Sequence, residues 1–240
     1  VRAATPFWIG IRLVMRDGWH VNWVNPGDAG LAPTVAWQLP DGFRAEKIQW
    51  PFPARFELPG VCIFGYDHEV VLLSRITPPR DLHPGSACTF KATVSWLACR
   101  EACVPGDASL TLSLAASASG ADEYDGNWKP VVDRSLSLIP APTAAWRFLA
   151  ESGNDRIVVE ARPSQGLNSP PSTVTFFPVK QGIIENGAPQ VWSHSGSVYR
   201  LELRRDKLGG ALPDTLAGVL VSDQSWEDGR RSVEIEIPLR

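Results

Sequence analysis

The chain has 240 residues, a formal net charge of −3 and a sequence pI near 5.8, with 44% hydrophobic and 20% charged residues. That composition belongs to a soluble globular protein and leaves room for two domains of ordinary size. A slightly acidic balance with no Lys/Arg cluster among aromatics excludes a nucleic-acid footprint, and no apolar run is long enough to span a bilayer or reads as an uncleaved signal peptide. The expectation is a mature or excised soluble piece.

Period-two alternation with turn punctuation runs from end to end, so the fold class is all-β, expected as two immunoglobulin-like β-sandwich domains in tandem. The first strand is expected over Phe7 to Val14. Turns are expected at Asn25-Pro26-Gly27-Asp28, Pro40-Asp41-Gly42, Thr77-Pro78-Pro79 and Pro105-Gly106-Asp107. Between them lie strands at Val61 to Phe64, Glu69 to Leu73, Thr89 to Ala98 and Ser109 to Leu114. A small-residue and polar stretch from Ala115 to Gly126 interrupts this rhythm, which places one domain at residues 1–120 and the second at 121–240. A short helix is expected within Asn127 to Arg134. Strands then resume at Arg156 to Ala161, Ser172 to Phe177, Val198 to Leu203, Leu216 to Val221 and Ser232 to Ile237.

All four cysteines, Cys62, Cys88, Cys99 and Cys103, fall in the first half, so redox or metal chemistry belongs to the first domain. The strand ending at Cys99 carries apolar side chains at Phe90, Ala92, Val94 and Trp96 on one face, with Lys91, Thr93 and Ser95 on the other. Only Arg100, Glu101 and Ala102 separate Cys99 from Cys103, so the two cysteines flank the tip of a hairpin. Directly opposed residues on antiparallel strands lie within the distance a disulfide needs. A bond closing so short a loop removes little chain entropy, which makes it a weak staple, and a hairpin tip is open to an attacking thiolate. The geometry therefore favours exchange chemistry at Cys99 and Cys103. Arg100 favours a thiolate there and Glu101 opposes one. A plain structural pair and a metal site remain alternatives. Zinc needs more convergent ligands than two cysteines, and copper prefers thioether or imidazole company, where this chain has one Met and four scattered histidines at 20, 68, 83 and 194.

The ordered runs Trp19-His20-Val21-Asn22-Trp23-Val24-Asn25-Pro26-Gly27-Asp28, Trp37-Gln38-Leu39-Pro40-Asp41-Gly42, Phe64-Gly65-Tyr66-Asp67-His68 and Trp96-Leu97-Ala98-Cys99-Arg100-Glu101-Ala102-Cys103-Val104-Pro105 resemble the N-terminal domain of DsbD and ScsB-type thiol:disulfide interchange proteins. The second half resembles, more weakly, the additional periplasmic region of ScsB-like members, which bear on copper tolerance. The resemblance implies a periplasmic protein-disulfide reductase domain of an inner-membrane protein, with no bound cofactor and no metal. Its partners would be a transmembrane electron-donor domain of the same full-length protein and periplasmic thioredoxin-like or disulfide-isomerase-like proteins. By the same resemblance, Cys103 joins the partner, Cys99 resolves the mixed disulfide, and Phe64, with Tyr66 beside it, corresponds to an aromatic cap over the disulfide. The best-known DsbD members space this cysteine pair more widely.

Cys62 and Cys88 both sit on apolar strand faces and are expected to be buried, with a structural disulfide between them as the favoured reading. Trp19, Trp23, Trp37 and Trp50 suit core packing better than a sugar platform. Hydrolase motifs are missing from the sequence: it has no Gly-x-Ser-x-Gly elbow, no His-Glu-x-x-His and no phosphate loop. A glycan- or protein-binding sandwich with structural disulfides, or a periplasmic copper-binding protein, stands as the alternative function.

Overall fold

A computed structural model of the chain describes residues 1–118, 127–165, 170–226 and 229–240. It is all-β, with one short helix. The elements are β1 (Phe7–Val14), β2 (His20–Gly27), β3 (Thr34–Gln38), β4 (Arg44–Ala45), β5 (Ala54–Leu58), β6 (Val61–Asp67), β7 (Glu69–Thr77), β8 (Ala87–Cys99), β9 (Cys103–Ala115), α1 (Lys129–Ser137), β10 (Trp146–Ser152), β11 (Arg156–Pro163), β12 (Val174–Pro178), β13 (Val191–Ser195), β14 (Val198–Arg204), β15 (Thr215–Ser222) and β16 (Ser232–Pro238). They group into two compact units, Val1–Asn22 with Leu31–Pro51 and Tyr66–Ser137, and Trp23–Gly30 with Phe52–Gly65 and Leu138–Arg240. The expected boundary near Gly120 falls at residues 119–126, outside the described residues.

In the first unit, β1 pairs antiparallel with β7, which also takes β4 on its other edge. A second sheet is centred on β8, which pairs with β3 and with the opening residues of β2, and along its whole length with β9. The two sheets share a core because each contributes its apolar face. Ile9 and Ile76 of the first sheet meet Cys88 and Phe90 of the second, and Ile11 meets Ala92 and Val94. The alternation along β8 is the cause: Cys88, Phe90, Ala92 and Val94 are buried while Thr89, Lys91, Thr93 and Ser95 are exposed.

The second unit repeats the principle. Strands β10, β11, β14 and β13 form one antiparallel sheet and β12, β15 and β16 another. Ile157, Val159, Ala161, Leu201 and Leu203 of the first pack against Phe176, Leu216, Leu220, Val233 and Ile235 of the second in a single cluster. Two antiparallel sheets closed over one core make a β-sandwich.

Two expected turns are strand instead. Asn25-Pro26-Gly27 completes β2. Gly27 adopts a φ of 81°, and a Cβ there would stand 2.3 Å from the Cys62 carbonyl oxygen, so only glycine lets the strand pass. Asn25 accepts from the Gly27 N–H at 2.9 Å through its own Oδ1 and donates to the Pro178 carbonyl at 2.7 Å, so its side chain holds the end of the strand in place. Likewise Pro105-Gly106-Asp107 lies inside β9, opposite Leu97, Trp96 and Ser95. Strand β9 pairs with β8, and a proline is tolerated where an edge asks for no N–H. Gly106 is needed because the Trp96 indole lies across it, where a Cβ would come within 2.7 Å of the ring.

At the end of β15, Asp223 accepts from the Ser172 hydroxyl and from the backbone N–H groups of Ser172 and Thr173 at 3.0 and 3.1 Å. Those donors, the hydroxyl foremost, hold its carboxyl down at about 2 from an ordinary 3.8. Because the folded value is the lower one, the stability Asp223 contributes is present above about pH 4 and disappears as pH falls through about 2. Urea midpoints of the parent and Asp223→Asn are expected to differ at neutral pH and to converge at the acid end. A difference independent of pH contradicts this.

Candidate functional site

Strands β8 and β9 keep one-to-one register along their full length, from Ala87 opposite Ala115 to Cys99 opposite Cys103. The register places the two cysteines directly across from each other, with Cα atoms 4.0 Å apart, and they are joined in a disulfide. Arg100, Glu101 and Ala102 form the tip, where the Arg100 N–H donates to the Ala102 carbonyl at 3.1 Å. Arg100 and Glu101 face each other at 3.6 Å with both side chains exposed, so the charge favouring a thiolate is largely answered by its neighbour. The aliphatic part of Arg100 also covers Gly18, whose Cβ position lies 3.6 Å from Arg100 Cδ.

The two sulfurs are not equivalent. Cys99 is 3% exposed, whereas Cys103 and its successor Val104, 51% exposed, face solvent. Parity along β8 puts Cys99 on the face opposite Phe90 and Val94, so its burial is separate from the sandwich core. Closing a loop this short by a crosslink restricts the unfolded chain by only about 2 kcal/mol, against nearly 5 for a loop of about a hundred residues. The bond is thus buried at one end, open at the other and weakly structural.

Strand β2 continues the row on the other side of β8. His20 is directly opposite Cys99, and Val21 opposite Ala98. His20 is buried, and burial lowers its pKa from 6.5, with Asp67 acting weakly in the other direction. In the sequence His20 stands in the Trp19-to-Asp28 run and as one of four scattered histidines. Its place beside the disulfide depends on pairing between strands far apart in the chain, for which the sequence carries no local signal.

Residues 1–115 match the family model described as thiol:disulfide interchange protein DsbD, N-terminal. Over this segment the chain is similar to the DsbD N-terminal family. The expected resemblance is therefore borne out over the part of the chain that carries the cysteines. The DsbD-like segment and the rest of the chain together follow the fold of the N-terminal periplasmic domain of ScsB from Proteus mirabilis. The match has 20% identity and a TM-score of 0.67, covering 99% of this chain and 90% of that one. No curated protein matches the sequence.

Within the DsbD-like segment, the structure sorts the other candidate residues. Tyr66 is buried and its hydroxyl donates to the Pro51 carbonyl at 2.6 Å, and burial pushes its pKa well up, so it stays a neutral donor. Phe64 is fully buried and meets Phe177 edge-on at 5.0 Å in the second unit, the environment of a core aromatic. Trp23 is buried beside Phe177 as well, and the Trp37 indole N–H donates to Ser74 Oγ at 3.3 Å.

The expected Cys62–Cys88 disulfide is not formed: both are free, buried thiols. Cys88 packs among Ile9, Phe43, Ile76 and Phe90 as a small apolar side chain. Cys62 accepts from Arg55 Nε at 3.2 Å, and burial raises its pKa, with Arg55 opposing. Each sulfur has a local environment of its own, which an even cysteine count does not reveal. Among the described residues, no group of three or more His, Cys, Asp or Glu is arranged to hold a metal ion.

Proposed function

We propose that residues 1–120 act as a periplasmic thiol–disulfide relay in which Cys99 and Cys103 cycle between dithiol and disulfide, and that residues 121–240 form a second sandwich domain without a part in the sulfur chemistry. The observation that carries this reading is the asymmetry of the bond, an exposed Cys103 tied to a buried Cys99 at a hairpin tip. An incoming thiolate reaches Cys103 and not Cys99.

In the reducing direction, the Cys103 thiolate attacks a sulfur of the partner's disulfide, and the partner's second sulfur leaves as a thiolate. The Cys99 thiol then loses its proton and attacks Cys103 Sγ. The Cys99–Cys103 bond forms, the mixed bond breaks, and the partner departs with both electrons as a dithiol. Reversal of the same steps against a more reducing dithiol restores the starting state. The partners we assign are a transmembrane electron-donor domain of the same full-length protein on the reducing side, and thioredoxin-like or disulfide-isomerase-like periplasmic proteins on the oxidising side. The chemistry uses sulfur alone and requires no bound cofactor.

The test is direct transfer. The reduced full chain, freed of reductant and mixed with an oxidised thioredoxin-fold protein, is expected to lose two thiols at Cys99 and Cys103 as the other protein gains two, read by alkylation and mass mapping. Thiols that stay on Cys99 and Cys103 while the acceptor stays oxidised overturn the relay.

A further inference from the structure

Three strands cross the same line of the β8 sheet with His20, Cys99 and Cys103 directly opposed in turn. Directly opposed residues of antiparallel strands project to the same face, with Cβ atoms roughly 5 Å apart. The row therefore sets a buried imidazole against the buried sulfur of the pair, on the side away from the partner. We propose that His20 is the proton acceptor for the Cys99 thiol during resolution of the mixed disulfide. This rests on the relay reading above, in which Cys103 holds the partner and Cys99 resolves.

The need for such a group follows from burial. A thiol attacks only as its thiolate, and Cys99, at 3% exposure, has little water to carry its proton away or to solvate the charge. The tip offers no net positive charge, since Arg100 faces Glu101. An imidazole kept neutral by its surroundings has a lone pair for that proton. Burial lowers the His20 pKa, and the charged group acting on it is Asp67 at the end of β6, which opposes the shift and so favours the imidazolium once the proton has arrived. The step balances: Cys99 S–H, His20 and the Cys103–partner disulfide become the Cys99–Cys103 disulfide, His20-H⁺ and the partner thiolate. In the opposite direction, His20-H⁺ returns the proton to the departing Cys99 sulfur.

The experiment uses Ellman's reagent, 5,5′-dithiobis(2-nitrobenzoate), as the disulfide partner of the reduced full chain. Attack by Cys103 releases one coloured thionitrobenzoate, and attack by Cys99 on the resulting mixed disulfide releases the second. In the parent, the second release is expected to rise with pH through the titration of a group below about 6.5 and then level off. In His20→Gln it is expected to be at least about tenfold slower at pH 7 and to keep climbing until the thiol itself ionises, near or above about 8.5. Equal rates and the same profile in both proteins overturn the role of His20, because a residue that only packs shifts stability and not the shape of that curve. Should the variant not fold, the parent decides alone: a plateau supports the proposal, and a second release that climbs without a break past pH 8 contradicts it. Mapping the first mixed disulfide to Cys99 instead of Cys103 defeats the relay reading itself, a result distinct from failure of His20 alone.

Discussion

Cys103→Ala is expected to abolish disulfide exchange outright, while Cys99→Ala leaves a protein that captures its partner and cannot let go. The two outcomes differ because the sulfurs differ in access: Cys103 faces solvent and Cys99 is 3% exposed. Without Cys103 there is no sulfur for a partner to reach. Without Cys99, the mixed disulfide on Cys103 lacks its internal nucleophile and persists until an outside thiol cleaves it. The measurement is a non-reducing gel after mixing each reduced variant with an oxidised thioredoxin-fold protein. A reductant-sensitive adduct from Cys99→Ala and none from Cys103→Ala is the expected pair of results. The reverse pair exchanges the roles of the two cysteines. Neither substitution should lower stability by more than the roughly 2 kcal/mol that so short a crosslink supplies.

Phe90→Ala carries the second large effect, on folding. Phe90 is 1% exposed and meets Phe7 and Phe43 edge-on, with ring centroids 5.8 and 5.2 Å away. It joins the two sheets of the first unit, packing in one cluster with Ile9 of β1 and Ile76 of β7. Truncation removes the apolar burial and leaves a cavity that the surrounding rings fill only in part, a loss of about 3–5 kcal/mol. Urea unfolding is expected to show a midpoint lower by roughly 1–2 M for that loss. A change below about 1 kcal/mol would mean that the two sheets do not depend on this ring. The effect reaches the site as well, since the strand that anchors Phe90 in the core ends at Cys99 and carries the register that brings it opposite Cys103.

Much of this was legible in the residues. Strand β1 runs from Phe7 to Val14 as the alternation indicated, and β7 and β8 contain the runs read as strands. The disulfide was readable because its two cysteines share one hairpin, where local spacing sets the geometry. What escaped depends on contacts the chain makes with distant parts of itself. Pro26-Gly27 and Pro105-Gly106 carry turn chemistry, yet both continue strands, one past the Cys62 carbonyl and the other beneath the Trp96 ring. Strands β5 and β13 lie on mostly exposed backbone, with burial too irregular to leave a clear alternation in sequence. The grouping of Trp23–Gly30 and Phe52–Gly65 with the C-terminal half likewise has no signature in hydrophobic period, because alternation says which face of a strand is buried and not which neighbour buries it. The same limit hid His20, and it made Cys62 and Cys88 look like partners when each is a free thiol with an environment of its own.

The most direct check of the whole account is reduction of the native full chain by graded dithiothreitol, with free thiols trapped by an alkylating agent and mapped by mass. Two new labels, on Cys99 and Cys103, arising while the protein remains folded and with Cys103 labelled ahead of Cys99 under limiting reagent, are what a solvent-facing exchange bond requires. A Cys99–Cys103 bond that resists dithiothreitol until the fold is lost would make the pair a staple and contradict the relay.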